Sequence, residues 1–573
     1  MTELTMETEP FHPRPKLTKY DIPQDLKVNY CTKTLTEGTE LRGPESLPLP
    51  CDILHEHDCC VTLRDGTKIY TDVYRPTTAK EGTVPAVICA GPYGKEGSRF
   101  FHEFTDHAQW RFGIPMKMVS GLEKFLRDWI RRIGFFTDML LCILVNLGGI
   151  GISAGDMHVS GRQEGRDMAD LVECIAEQSW SNKRVSMAGN SWLTQVQWFT
   201  ATEKPPHLTC IAPSEGWSDF YRDICVRGGV PNGGFWDWLI KQGTHGRGRI
   251  EDVIKMSKEH TFWHEYWEQR RAELENIEQA TPPTSTPVAL SAAGSTPDPN
   301  RNGFGYTTAT SGQKTPANSS TTSCDPPTTA GNTPPRVRLC VLNPGGQDVI
   351  NRPELDFPLP RQRTKYLYLS TGDGSLTATA PGKTQSITFN AASETATFTH
   401  VFTHLTELTG FFAVKDDIDV FAWWDKLSPS GEALEHANVD PGYLADDPEA
   451  EREKLKDPAL GMRHVFFSPG GYGRLRASHR KLAAGATEHN PVHTHREADK
   501  RLLKGGGDVV PLEIDLRPYG IVFEKGEGLR LTIAGADPHH NIPWVEPPAS
   551  ITKGRAVVWM GGQRDSKMVL PEV

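Results

Sequence analysis

In "VSMAGNSWLTQVQWF", residues 185–199, one hydroxyl stands where an apolar run gives way through Gly189 to a helical pattern. Neither strand pairing nor helix packing calls for Ser191 at that junction. A strand that turns sharply into a helix lifts its turn residue above the sheet edge, beside the first unpaired backbone N–H groups of the helix. A hydroxyl so placed can attack an acyl carbonyl with oxyanion donors already in position. Gly189-Asn190-Ser191 fits the G-x-S of a nucleophile elbow, with Leu193 where the second glycine would stand. Serine is also a common helix N-cap, so the residues alone leave two readings of Ser191, nucleophile and cap.

The flanking text supplies the elements an elbow needs. "VPAVICAGPYG" from Val84 and "LLCILVNLGG" from Leu140 are continuous apolar runs that stop at glycines, the habit of parallel strands covered on both faces. Between Gly161 and Gln178, Met168, Leu171, Val172, Ile175 and Ala176 recur at three- and four-residue steps and predict one amphipathic helix. Val185–Ala188 then reads as strand, the residues from Trp192 as helix, and "LTCIAPSEG" from Leu208 as the next strand. Strand and helix alternating in this way predict a parallel α/β layer. Upstream, "CVTLRDGTKIYTDVYRP" alternates on both sides of Asp65-Gly66 and predicts a hairpin.

At 573 residues with a net charge of -10, the chain has room for two or three domains and no overall basic character for nucleic acid or anionic lipid. Eleven cysteines without regular spacing do not form a disulfide framework, so reduced thiols are expected. The polar start "MTELTMETEPFHPRPK" lacks the basic and apolar regions of a signal peptide, and a cytoplasmic location is expected. The apolar stretch from Ile133 is interrupted by Asp138 and Asn146, which favours a buried strand over a membrane helix.

From Phe220 to about Glu278 the chain becomes aromatic-rich, with "GGFWDWLIKQG" and "HTFWHEYWEQRRAELENIEQ" expected as helices of a cap over the sheet. Trp217, Phe235, Trp236 and Trp238 would line an apolar acyl pocket there, or simply form core. Residues 279–335, rich in Ser, Thr, Pro, Gly and Asn, are expected to be a disordered linker. Beyond it the period becomes two: "RVRLCVL", "KYLYLS", "DIDVFAWW", "VVPLEIDLRP" and "GLRLTIAGAD" predict an all-β unit of sandwich or jelly-roll type. The expected division is a polar extension over 1–50, an α/β core with cap over 51–278, the linker, and a β domain over 336–573.

"GNSWL" within "SWSNKRVSMAGNSWLTQVQW", "GPYGK" upstream, and the carboxyl-terminal "VVPLEIDLRPYGIVFEKGEGLRLTIAGAD" and "DSKMVLPEV" resemble the CocE/NonD serine hydrolases, a group that includes cocaine esterase and the X-Pro dipeptidyl-peptidases. The resemblance implies an α/β-hydrolase domain with a helical cap, followed by a jelly roll of galactose-binding-like type. It implies an acyl-enzyme mechanism on small ester, amide or short peptide substrates, with no metal or organic cofactor. Ser191 would be the nucleophile, the backbone N–H of Trp192 an oxyanion donor, and the hydroxyl of Tyr93 the second donor. Without the resemblance, Tyr93 reads as an ordinary turn residue after a buried strand.

Two departures bear on that reading. Thr194 stands where the family elbow usually has glycine, and "NLGGIG" replaces an Asp-x-Arg-Gly turn. The catalytic acid and base remain unidentified: the family places both after the serine and before the jelly roll, where this chain runs through "TPPTSTPVALSAAGSTPDPN" with no histidine between His264 and His400. His207, His245, His260 and His264 read as ordinary surface or core residues, Asp219 and Asp223 as pocket lining or helix surface, and the His489, His493, His495 cluster as a solvated loop. The expectation is a serine hydrolase; the alternatives are an impaired enzyme serving as a binding protein, or a mis-joined gene product of an active hydrolase.

Overall fold

The computed structural model describes residues 27–38, 51–78, 84–92, 141–190, 192–214, 216–232, 246–279, 337–347, 349–355, 359–403, 406–412, 418–437, 470–503, 509–537 and 554–573, together with shorter pieces between them. Eight strands form the amino-terminal sheet: β1 (Cys31–Leu35), β2 (Ile53–Thr62), β3 (Lys68–Pro76), β4 (Val84–Gly91), β5 (Leu141–Asn146), β6 (Ser181–Asn190), β7 (Leu208–Ser214) and β8 (Ala289–Leu290). Their order across the sheet is β8–β7–β6–β4–β5–β3–β2–β1.

β2 and β3 are the expected hairpin, paired from Ile53↔Pro76 to Thr62↔Lys68 around the turn at Gly66. β4, β5, β6 and β7 run parallel, as their two-sided apolar composition requires. The described part of the apolar stretch from Ile133 is strand β5, held between β4 and β3. No helix among the described residues is long and apolar enough to cross a membrane.

Helix α1 (Arg162–Ala176) buries Met168, Leu171, Val172, Ile175 and Ala176, the predicted stripe. Helix α2 (Trp192–Thr202) packs beside it so closely that a Cβ on Gly165 would lie 2.6 Å from the Phe199 backbone. Among the described residues the cap includes a π-helical turn over Phe220–Cys225, a 3-10 turn over Arg227–Gly229, helical residues at Gly234, Trp236, Asp237, Leu239 and Ile240 within the expected first cap helix, and three short helices, α3 (Val253–Glu259), α4 (Glu265–Glu268) and α5 (Leu274–Gln279). The second expected cap helix is broken: its stretch divides into two short helices, α4 and α5, with an irregular connection between them.

Within the expected linker the structure adds two short strands. β8 extends the parallel sheet beyond β7, with Ala289 opposite Cys210 and Leu290 opposite Ile211. Thr308–Ala309 pairs antiparallel with β9 (Val337–Val341), the first strand of the carboxyl-terminal region. "PVAL" lacks the length of a strand signal, yet two residues suffice once β7 offers an open edge.

The carboxyl-terminal region is built from strands. Its main sheet includes β10 (Arg363–Ser370), β11 (Thr395–Val401), β12 (Thr406–Phe412), β13 (Asp419–Leu427), β14 (Tyr472–Arg476), β15 (Leu516–Phe523), β16 (Gly528–Ala534) and β17 (Lys567–Glu572). β13 is buried along its whole length, between β14 on one side and β16 on the other. The predicted strand from Val509 needs correction: Leu512, Ile514 and Leu516 are fully buried in the predicted alternation, but the pairing with β12 starts only at Leu516. Burial there comes from side-chain packing without a ladder.

The two halves meet through the cap. Gly228, at φ +61, lies so close to β14 that a Cβ would sit 1.9 Å from the Arg474 carbonyl oxygen. The Trp263 N–H donates to the His495 carbonyl over 2.7 Å. The loop carrying the histidine cluster is therefore not solvated as predicted: His493 and His495 are buried against the cap, where the Tyr221 ring lies 5.3 Å from that of His495.

Candidate active site

β6 ends at Asn190 and α2 begins at Trp192, so the junction that the sequence marks is one residue wide. Ser191 itself, and Tyr93, lie outside the described residues, while Trp192 lies within them. Gly189 shows why the approach needs a glycine. Its φ is +154, and a Cβ there would lie 2.3 Å from Leu193 Cβ. Its carbonyl accepts from Thr194 Oγ1 at 2.9 Å, which ties the end of the strand to the first turn of the helix.

Thr194, larger than the glycine expected at its position, is accommodated from the other side. Gly216 faces it, and a Cβ at Gly216 would lie 2.2 Å from Thr194 Cβ and Cγ2. The space has moved from one residue to its neighbour in the packing.

Beneath the elbow runs a buried polar chain. The Trp217 indole N–H donates to Ser160 Oγ over 2.9 Å, Ser160 Oγ to Gln195 Oε1 over 3.1 Å, and Gln195 Nε2 to Glu164 Oε2 over 2.6 Å. The Trp192 indole N–H completes it on Glu164 Oε1 at 3.0 Å. Burial pushes the Glu164 carboxyl up to about 7, against the pull of the Gln195 and Trp192 hydrogen bonds. Periodicity placed Glu164 in the first turn of a helix but gave no sign that it would be buried.

Trp192, Trp217, Trp236 and Phe220 pack edge to face and tilted, with centroids 4.7–6.4 Å apart. Trp217 and Trp236 are buried among these rings, so the core reading holds for them. Phe235 and Trp238 lie outside the described residues.

The histidines downstream of the elbow have other partners. His207 stands before the first residue of β7, at the opposite end of the strand from Ser214, which pairs with Asn190. Its Nδ1 lies 2.7 Å from Glu173 Oε2, and Glu173 is nine residues along α1 from Glu164, about 13 Å on. His264 Nδ1 accepts from the Tyr266 N–H and caps α4, with the His260 ring 4.4 Å from its own. His245 is outside the described residues. Asp219 accepts from the Arg222 N–H at 2.9 Å and caps the π-helical turn, while Asp223 accepts from the N–H groups of Ser218 and Asp219. Both carboxyls are pushed up by burial. Their hydrogen bonds are those of local caps.

Two family models match in tandem: X-Pro dipeptidyl-peptidase (S15 family) over residues 65–293, and the X-Pro dipeptidyl-peptidase C-terminal non-catalytic domain over residues 329–569. The chain is 28% identical over 202 residues to a Mycobacterium bovis protein named as a serine esterase, covering 34% of this chain. It is 29% identical over 164 residues to cocaine esterase of Rhodococcus sp., covering 28% of this chain. These alignments span 30% and 24% of the length of those relatives. In fold, a CocE/NonD family hydrolase from Staphylococcus aureus is similar with a TM-score of 0.71 at 22% identity, covering 98% of this chain and 100% of the other. The two matched regions and the fold agree: the chain is similar to the S15 family of X-Pro dipeptidyl-peptidases over residues 65–293 and to their C-terminal non-catalytic domain over residues 329–569, and its fold is that of a CocE/NonD family hydrolase.

Proposed function

We propose that this protein is a serine hydrolase that cleaves ester or amide bonds of small molecules or short peptides through an acyl-enzyme. The observation that carries the reading is the one-residue junction between β6 and α2, with Gly189 forced into close contact with Leu193 and a serine in between. Ser191 Oγ attacks the acyl carbon and gives up its proton, the C–O or C–N bond breaks, and the leaving group departs with a proton. Water then cleaves the acyl-serine ester. The Trp192 backbone N–H, at the start of α2, and the Tyr93 hydroxyl hold the oxyanion; removing one such donor costs about 3–4 kcal/mol in comparable sites. The buried Trp192 indole, fixed on Glu164, keeps the donor's peptide from shifting.

The reading includes the division into an α/β core with cap over 51–278 and a β domain over 336–573. It leaves the base and its carboxylate unassigned, since His207, His260 and His264 are engaged elsewhere. A fluorophosphonate probe tests the reading directly. Covalent labelling that vanishes in Ser191→Ala supports catalysis. An intact fold without labelling removes the nucleophile and leaves a binding protein built on the same scaffold.

A further inference from the structure

The hairpin at the far side of the sheet carries a second cluster of chemistry-bearing side chains. In the β2–β3 ladder Glu56 pairs with Val73 and Cys59 with Thr71, so His57 and Asp58 together face Asp72 alone. This is a β-bulge, a device that re-aims side chains. Asp58 takes φ +52 within it, a region uncommon for residues other than glycine. Asp72 Oδ1 accepts the Asp58 N–H over 3.0 Å, and its other oxygen lies 3.2 Å from His55 Nε2 and 3.0 Å from His57 Nδ1. Two imidazoles thus converge on one carboxylate oxygen.

We propose that His55, His57 and Asp72 bind a divalent transition metal ion of the zinc class. The donor atoms of the three residues all lie within 4.8 Å of one another. Separations of 3.0 and 3.2 Å are close to the edge of a tetrahedron with metal bonds of about 2.0–2.2 Å, roughly 3.3–3.5 Å. Two imidazoles and a carboxylate suit zinc and its first-row neighbours rather than magnesium or calcium.

The surroundings fit such a site. The His55 and Asp72 side chains are buried, whereas His57 is 22% exposed, which gives an ion a way in and a water the fourth position. Tyr74 stacks on the His55 ring at 4.2 Å and fixes its plane. Asp58 Oδ1 lies 3.5 Å from His57 Nε2, where a carboxylate holds the far nitrogen of a metal-bound imidazole. On binding, His55 Nε2, His57 Nδ1 and Asp72 Oδ2 each offer a lone pair to the ion, any proton on the two ring nitrogens passes to the other nitrogen of its imidazole, and three metal bonds replace the contacts to the carboxylate.

The site lies three to four strands from β6, about 14–19 Å across the sheet, so its role is to fasten the hairpin and not to assist the elbow. Asp58 Oδ2 also accepts the Asn29 N–H over 2.8 Å, which links the same bulge to the chain entering β1.

The test uses the full chain stripped with chelator and titrated with Co2+ and Zn2+. The expected result is one ion per chain, visible bands of a four-coordinate cobalt site without thiolate charge transfer, and a higher Tm with Zn2+. His57→Ala and Asp72→Asn should each weaken binding more than about tenfold. Absence of stoichiometric uptake, a thiolate band arising from cysteines such as Cys59 or Cys60, or affinity unchanged in His57→Ala would overturn the site. Should either variant misfold, X-ray absorption of the zinc-treated parent decides: two imidazoles and no sulfur support the site, and any other ligand set removes it.

Discussion

The Trp192 indole donates to Glu164 Oε1 over 3.0 Å, and neither side chain has appreciable access to water. A carboxyl in the first turn of α1 therefore fixes the first residue of α2, the one that follows Ser191. Because burial holds Glu164 near 7, the native state binds its proton more tightly than the unfolded chain, whose value is 4.5. The stability this provides is complete below pH 4.5 and is lost as pH rises to about 7, a change of about 3 kcal/mol. Glu164→Gln keeps an acceptor for the indole and removes the titration. Urea unfolding at stepped pH should show the variant gaining on the parent by up to that amount between pH 5 and 8. Parallel curves for the two proteins would mean that Glu164 does not titrate in this range.

The contact between Gly216 and Thr194 gives a prediction with a built-in control. Gly216→Ala places a methyl group 2.2 Å from the threonine and should destabilise by about 1–3 kcal/mol. Thr194→Gly should cost about 0.3 kcal/mol through helix propensity and further through lost packing and the lost hydroxyl bond to the Gly189 carbonyl. The double variant should be less destabilised than the sum of the two by at least about 1 kcal/mol. Strict additivity in chemical denaturation would show that the two positions do not compete for the same space.

Much of this architecture was legible in residue types, for physical reasons that also set the limits. Continuous apolar runs such as Val84–Gly91 can only be strands covered on both faces, and the stripe from Met168 to Ala176 has one side to bury. The Gly189 junction was legible because a turn imposes its chemistry locally. What depends on a partner was not. The alternation over Leu512, Ile514 and Leu516 reports burial, and the ladder begins only where β12 arrives. The meeting of His55 and His57 on Asp72 needs a bulge that no periodicity announces. His493 and His495 read as solvent-facing because the cap that covers them is more than two hundred residues away in the chain.

Arg270 and Glu251 form an ion pair whose side chains are 3% and 0% exposed, and Glu251 Oε2 also accepts the Val159 N–H over 2.9 Å. Glu251→Ala leaves a buried guanidinium without its carboxylate and should cost about 3–5 kcal/mol. The Arg249–Asp156 pair beside it has side chains 59% and 26% exposed, where water screens the charges, and Asp156→Ala should cost much less through the ion pair. Comparing the unfolding midpoints of the two variants checks this ordering, and equal losses would contradict it.

The interface between cap and carboxyl-terminal region should open in acid. Phe262 stacks on His479 at 4.2 Å, His479 Nδ1 lies 3.0 Å from His495 Nδ1, and the His493 ring is 5.6 Å from that of His495. Burial is the main force holding these imidazoles neutral; it pushes His493 down to about 4 and His479 to about 3, with His495 also well below its usual value. Arg476, the His493 imidazole and Lys500 add repulsion at His479, and Arg222 does so at His493 and His495. A folded-state value below the unfolded 6.5 means stability that is full above pH 6.5 and lost as pH falls toward 3–4. Each histidine contributes a slope of about 1.4 kcal/mol per pH unit. Glu164 acts in the opposite direction between 4.5 and 7, as do the buried carboxyls of Asp167, Asp219 and Asp223, so the histidine contribution is read as the difference between parent and histidine variants in a shared Glu164→Gln background. There, limited proteolysis and urea unfolding between pH 7 and 5 should show the cap loosening, and His479→Gln with His493→Gln should flatten the slope. A slope that persists unchanged in that double variant would place the acid sensitivity elsewhere.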